Sequence, residues 1–349
     1  MEGLKRLCDA VGISGREDNV RSMIRDDLKG LTDDLHTDAL GNVIALKKGQ
    51  GKKRVMLAAH MDEIGFIVNH IDEKGYLSVV PVGGIDARNL VIRQVLVFAR
   101  HADQPLKGIM APKAKPIHIM EEEDKKKVFK PTDFYIDLGL SKEEVDKLVK
   151  LGDPVSYVPD FTEIGHNVVS KSIDDRVGVY VMLEAMRRVQ GKTLGADVYA
   201  VASVQEEVGL RGATVSAFGV EPDVGIALDV TIAADIPTVK ESDQVSTLGG
   251  GVSISIMDGA SISNWKLVEF CRTLAEKHNI KHQLNILPRG GTDAGAMQKA
   301  RKGAPVISLS LPTRYIHSPS EMISKEDVEA TIQLLVAFLE EVHDADFSL

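Results

Sequence analysis

Four short, largely apolar runs constrain this chain more than any other feature: Val55–Ala59, Val198–Val204, Val224–Leu228 and Val306–Leu311. From Asn167 onward such strand-like runs alternate with helical patterns at 176–188, 264–278 and 325–342. The last helix carries Ile332, Leu335, Phe338, Leu339 and Val342 as one apolar stripe. This alternation predicts an α/β fold, a mixed and mostly parallel sheet flanked by helices on both faces. Residues 17–28 add an amphipathic helix, with Val20, Met23, Ile24 and Leu28 at helical spacing.

Between residues 67 and 163 the character changes. Short β-type runs at 66–68, 76–80, 90–99, 108–110, 134–136 and 154–158 are punctuated by Gly and Pro. They predict a small β domain at 67–163, inserted into a larger domain made of 1–66 plus 164–349. Inside it, Glu121 to Lys127 reads as a solvated charged loop. Ser141 caps a helix over 141–150, with Glu144 completing a capping box.

Composition excludes several classes. The 51 acids outnumber the 42 bases, for a net charge of −9, which disfavours nucleic acid as a partner because phosphate binding needs clustered Lys and Arg. Cys8 and Cys271 form no CxxC pair, so neither a disulfide framework nor a thiolate zinc site is expected. The charged N-terminus lacks the apolar core of a signal peptide. No run approaches the ~20 apolar residues that span a bilayer. A cytoplasmic protein without membrane partners is the expectation.

Each apolar run is followed by ionisable groups. His60 and Asp62 follow the first, Glu206 and Glu207 the second, Asp229 the third, and His317 closes the segment after the fourth. Asp174 lies at the mouth of the 176–188 helix. Ligands of open α/β sheets bind beyond the carboxyl ends of the strands, so these groups share one rim. Two histidines with several carboxylates suit zinc, cobalt or manganese. The number of donors suggests two ions ~3.5–4 Å apart. Of the neighbours Glu206 and Glu207, which point in opposite directions, one can be a ligand while the other accepts a proton from the attacking water. Asp62 projects the same way as His60 and is placed to receive its other ring N–H. A lone histidine beside an apolar run is more often a satisfied core or surface residue; the conjunction of positions is what points to a metal site.

His60-Met-Asp-Glu-Ile-Gly, Ser172-Ile-Asp-Asp-Arg, Val204-Gln-Glu-Glu-Val-Gly with Arg211-Gly-Ala, Ala227-Leu-Asp-Val and Arg314-Tyr-Ile-His-Ser occur in that order. Together with Asp38-Ala-Leu-Gly-Asn-Val, Pro81-Val-Gly-Gly and Gly290-Gly-Thr-Asp-Ala, they resemble the motifs of the M42 metallo-aminopeptidases, the TET group. The resemblance implies a zinc-peptidase-like catalytic domain in which Asp174 bridges two divalent metals. One ion would also be held by His60 and Asp229, the other by Glu207 and His317. It implies Glu206 as general base, Asp62 as the group orienting His60, and hydrolysis of N-terminal residues from peptides; members differ between apolar, acidic and basic first residues, and leucine and other apolar residues are the expectation here. The insertion would be a PDZ-like dimerisation domain, with dimers assembling into a tetrahedral dodecamer. Readings left open beside it are an acidic-residue aminopeptidase, an N-acyl-amino-acid deacylase or a carboxypeptidase on the same site, and a non-catalytic scaffold.

Four further residues are candidates for substrate contact. Gly250, in Gly249-Gly-Gly251, lets backbone approach a cleft. Thr292 and Asp293 either line the pocket for the first side chain or cap a helix. His118 is either a solvent-exposed or locally bonded histidine or approaches a neighbouring active site.

Overall fold

The structure, a computed structural model, describes residues 1–122, 126, 128–237 and 239–349. Residues 123–125 and 127, within the charged block expected as a solvated loop, lie outside the described residues, as does residue 238. Helices α1 (Glu2–Asp9) and α2 (Asp18–Leu28) lead into β1 (Asp34–Thr37), β2 (Val43–Lys47) and β3 (Arg54–His60). There follow β4 (Gly65–Ile71), β5 (Leu77–Val82), β6 (Arg93–Val97), β7 (Leu106–Pro112), β8 (Phe134–Asp137), α3 (Lys142–Leu148) and β9 (Pro154–Tyr157). The next stretch holds β10 (Thr162–Ile164), β11 (Asn167–Ser170), α4 (Ile173–Arg188), β12 (Asp197–Ser203), α5 (Arg211–Val220) and β13 (Val224–Ile232). The chain continues through β14 (Val252–Met257), α6 (Trp265–Lys277), β15 (His282–Ile286), α7 (Ala294–Lys299), β16 (Val306–Arg314), β17 (Glu321–Ser324) and α8 (Lys325–Glu341).

Eleven strands form one mixed sheet in the order β1-β2-β12-β3-β13-β16-β17-β11-β10, with β14 beside β16 and β15 beyond it. Its centre is parallel: β12 with β3, β3 with β13, and β13 with β16. The apolar runs are continuous because both faces are buried. Val55, Leu57 and Ala59 enter a core shared with α1, α2, α4 and α8, while Met56 and Ala58 face the smaller core under α5 and α7. Strands β4 to β9 instead close into a barrel, β4-β5-β8-β7-β6-β9, filled by Phe66, Leu77, Val95, Met110 and Phe134 among others.

Local chemistry accounts for the boundaries. Ser141 Oγ accepts from the Glu144 amide at 3.3 Å and Glu144 Oε2 accepts from the Ser141 amide at 2.8 Å, so the expected capping box opens α3. The strand expected over 90–99 begins only at Arg93, because residues 87–90 form a one-turn helix whose Asp86 cap accepts from the Arg88 amide. Helix α5 was not visible in the sequence, since Gly212, Gly219 and three β-branched residues, Thr214, Val215 and Val220, oppose it. Packing decides it. A Cβ on Gly212 would lie 2.4 Å from the Val204 carbonyl oxygen, so only glycine lets this helix sit against the end of β12.

The two stems of the barrel are clamped by a buried ion pair. Lys171 Nζ lies 2.7 Å from Glu63 Oε2, and Arg176 Nη2 lies 3.9 Å from Glu63 Oε1, which also accepts from the Gly12 amide. All three charges are at most 1% exposed. Removing one partner leaves an uncompensated buried charge, so Lys171→Met is expected to cost about 3–5 kcal/mol of stability, read from the shift of the denaturant midpoint. An unshifted midpoint would show that the clamp carries no stability.

Candidate metal centre

The parallel register brings the predicted residues to one rim. Ser203 of β12 pairs with His60 of β3, Ala58 pairs with Ala227, and Asp229 pairs with Ser310 of β16. Beyond β12 the chain turns sharply, with Gln205 and Leu210 in left-handed backbone (φ +54° and +55°), and this turn presents Glu206 and Glu207. His317 is also left-handed, at φ +60°. Such conformations persist where surrounding contacts impose them, and here the His317 amide donates to Glu321 Oε1 at 2.8 Å.

Asp174 occupies the middle of the cluster. Its Oδ1 lies 3.0 Å from His60 Nε2 and its Oδ2 lies 3.4 Å from His317 Nε2. One carboxylate thus faces two imidazoles with different oxygens. Glu207 Oε1 is 3.2 Å from His317 Nε2 and makes no hydrogen bond, as expected of two donors aimed at a common cation. Donor atoms lie within 4.8 Å of one another in two groups, His60–Asp174–Glu207 and His60–Asp175–Asp229. Asp175 was not among the expected ligands, yet it is the carboxylate grouped with His60 and Asp229. Its oxygens accept from the amides of His60 at 3.1 Å and Gly178 at 3.0 Å.

Glu206 stands beside this set. Its Oε2 is 3.8 Å from His60 Nε2, and it belongs to neither donor group. The Asp62 carboxylate accepts from the amides of Glu206 at 2.9 Å and Glu207 at 3.3 Å and from Ser14 Oγ at 2.6 Å. His60 Nδ1 lies 3.1 Å from the Asp62 carbonyl oxygen and 3.5 Å from its carboxylate. A proton on Nδ1 donated to that carbonyl leaves Nε2 free as a ligand. Glu321 also escaped the sequence reading: it accepts from the amides of Asp174 at 2.9 Å and His317 at 2.8 Å, tying two segments of the cluster together.

The electrostatics suit cations. Burial raises the carboxyls of Glu206, Asp229 and Asp175 well above the usual range, and neighbouring acids add to the rise. Burial acts to lower both histidines, but the surrounding carboxylates overcome it: His60 is raised well above its ordinary value and His317 is pushed up to about 12. Acids packed this closely keep their charge only beside cations. The donor set, imidazole nitrogens with carboxylate oxygens, fits divalent zinc, cobalt or manganese.

A cavity of about 650 Å³ opens over the cluster. His60, Asp174, Glu206, Glu207, Asp229 and His317 form its floor, and Leu210, Val230, Ile232, Leu287, Arg289, Thr292 and Ile316 are among its walls. Of the four proposed substrate contacts, Thr292 lines this cavity. Its Oγ1 lies 3.0 Å from Asp258 Oδ2 and 2.8 Å from Ser308 Oγ. Asp293 is buried behind the wall against Ser203 Oγ, and its Oδ1 has no hydrogen-bond partner; burial raises it to about 6. Gly250 sits in a loop held away from the cavity, where the flanking Gly249 and Gly251 amides each donate to Asp327 at 2.7 Å. His118 is exposed in a one-turn helix of the barrel segment.

The sequence model of the M42 glutamyl aminopeptidase family matches residues 41–334. A lysyl aminopeptidase of Pyrococcus furiosus is 39% identical over 354 residues, spanning 99% of each chain. Among solved structures, an aminopeptidase from the archaeon Desulfurococcus kamchatkensis is 40% identical with a TM-score of 0.92, covering 97% of this chain and 94% of its own. The TET1 peptidase of Pyrococcus horikoshii, described as assembling into a tetrahedron or a large octahedral shell, is 34% identical with a TM-score of 0.87, covering 97% and 99%.

Proposed function

The chain belongs to the M42 peptidase family, and on that premise we propose that it removes single residues from the free N-termini of peptides at a centre of two divalent cations. The observation that supports this most is Asp174, whose two oxygens face His60 and His317 separately, with Glu206 alongside and uncommitted to either donor group. Asp174 would bridge the ions, His60 and Asp229 completing one site and Glu207 and His317 the other. Bound ions supply Lewis-acid polarisation of the scissile carbonyl and charge stabilisation of its oxygen. Glu206 accepts the proton of the attacking water and returns it to the departing amine. Asp62 fixes the Glu206–Glu207 turn through its amide contacts and orients His60.

Incubation with a free peptide, its N-acetylated form and its C-terminal amide tests this reading. Stepwise release from the N-terminus of the free peptide alone or of the amide, with the acetylated peptide untouched, is expected. Release of acetate or of C-terminal residues would instead support a deacylase or a carboxypeptidase.

The cavity walls, chiefly Leu210, Val230, Ile232, Leu287 and Ile316, favour leucine and other apolar first residues. One observation favours an acidic first residue. Arg289 lines the same cavity and makes no hydrogen bond or ion pair among the described residues, while the nearby Asp258 is already committed to the amides of Ala260 and Ser261 and to Thr292. A charge-assisted hydrogen bond changes affinity by about tenfold or more. Arg289→Ala is therefore expected to shift the ratio of kcat/KM for glutamyl over leucyl reporter substrates by about tenfold towards leucine, and an unchanged ratio leaves the apolar reading alone.

In the same reading, residues 67–163 form a dimerisation domain inserted between 1–66 and 164–349, and dimers build a tetrahedral dodecamer, a reading supported by a TET1 relative described as a dodecamer and as able to assemble into a tetrahedron. Among the described residues no helix is long and apolar enough to cross a membrane, and we assign the protein to the cytoplasm.

A further inference from the structure

A second cavity, of about 440 Å³, adjoins the metal centre on the barrel side of His317. Its walls come from two places. Asp86, Arg88, Asn89 and Arg93 belong to the barrel segment, and Tyr315, Ile316, Ser318, Pro319 and Ser320 flank His317 in the turn between β16 and β17. Ile316 lines both cavities. The barrel segment sits directly on the ligand: Asn89 Nδ2 lies 3.5 Å from the His317 carbonyl oxygen, and a Cβ on Gly84 would be 3.1 Å from His317 Nδ1.

The charges of this cleft do not cancel. Arg88 is spent on Asp86, its Nε 2.8 Å from Oδ2. Arg93 donates only its Nε, to the Asn89 carbonyl oxygen at 3.0 Å, and has no carboxylate partner among the described residues. The residue is exposed, and its guanidinium is a planar fork that matches a carboxylate. Tyr315, 54% exposed, adds a phenolic donor at the rim.

The smaller cleft meets the larger cavity at Ile316, next to His317, and so offers space for the residues that follow the first in a peptide cut beside that histidine. Its net charge is positive. We propose that this cleft holds the residues downstream of the cut and that Arg93 binds the C-terminal carboxylate of the peptide, which makes short peptides with a free C-terminus the substrate class of this site. The inference rests on the aminopeptidase reading. It adds a specificity-determining residue supplied by the barrel.

The test compares kcat/KM on a tripeptide with that on its C-terminal amide, for the metal-loaded full-length protein and for Arg93→Ala and Arg93→Glu. The wild type is expected to prefer the free acid by about tenfold, from the loss of one charge-assisted contact. Arg93→Ala should bring the ratio near one, and Arg93→Glu should invert it in favour of the amide. Because the ratio is taken within one preparation, a partly misfolded variant does not mimic the result. A wild-type ratio of one, or a ratio that survives both substitutions, overturns the assignment of Arg93 while leaving the peptidase reading in place. Failure of the wild type to release the first residue of either peptide overturns both together.

Discussion

Replacing Glu206 with Gln is expected to lower kcat by about 10³-fold, within the 10²–10⁴ range typical of a positioned general acid–base group, while metal content and KM stay close to wild type. The substitution keeps the shape and removes the ability to take a proton. Three features make it specific. The Glu206 oxygen nearest the cluster is 3.8 Å from His60 Nε2, too far to be part of the imidazole–Asp174 contact. The backbone of Glu206 is held by Asp62 independently of its side chain. Its carboxyl lies on the cavity floor, where a substrate carbonyl and its attacking water must meet. Metal content measured by plasma emission beside turnover separates the possibilities: a variant that loses metal along with activity would make Glu206 a ligand, and one with near-normal turnover would remove it from the chemistry.

Asp174→Asn is expected to act differently, and at least as severely. The amide offers only one oxygen and no charge where two imidazoles each face a carboxylate oxygen. Loss of a partner that merely orients a ligand commonly weakens metal binding 10–100-fold; loss of a shared ligand should weaken both ions by at least ~10²-fold. Isothermal titration of the apo-protein with zinc should show both binding steps displaced. Asp229→Asn serves as the comparison, because it should displace one step only. Displacement of a single step in Asp174→Asn would mean that the carboxylate serves one ion, and would promote Asp175, which is grouped with His60 and Asp229, to the role of the missing ligand.

Much of this site was legible in the sequence because parallel strands end at one edge. An apolar run followed at once by an acid or histidine places that residue at the rim whatever the loops do, and His60, Glu207 and Asp229 all arrive that way, while Asp174 opens a helix. Periodicity carries no information on which carboxylate accepts which amide. Asp175 and Glu321 were therefore missed: each is fixed by backbone donors from distant segments, Asp175 by His60 and Glu321 by Asp174 and His317. The motif Asp38-Ala-Leu-Gly-Asn was legible as a turn. Its longer reach was not: Asn42 accepts from the Val204 amide at 3.0 Å and donates to the Gly212 carbonyl oxygen, bracing the strand end that carries Glu206. Loop positions were the least readable, as Gly250 shows, because a Gly-rich turn is compatible with any neighbour and distant side chains, Asp327 and Gln283, decide where this one lies.

The placement of the barrel between β3 and β10 sets a schedule for synthesis. His60 leaves the ribosome first and then waits for the whole barrel, for Asp174, and finally for His317 and the Glu321 that holds it. At about 5–20 residues per second that interval is on the order of ten seconds or more. To its end the early histidine lacks at least the second imidazole of the cluster, so the proposed metal centre is incomplete on the nascent chain. The parallel pairing of β3 with β12 and β13 likewise waits until the whole barrel has been made. A centre whose residues flank the barrel on both sides is thereby completed only when almost all of the chain has been made.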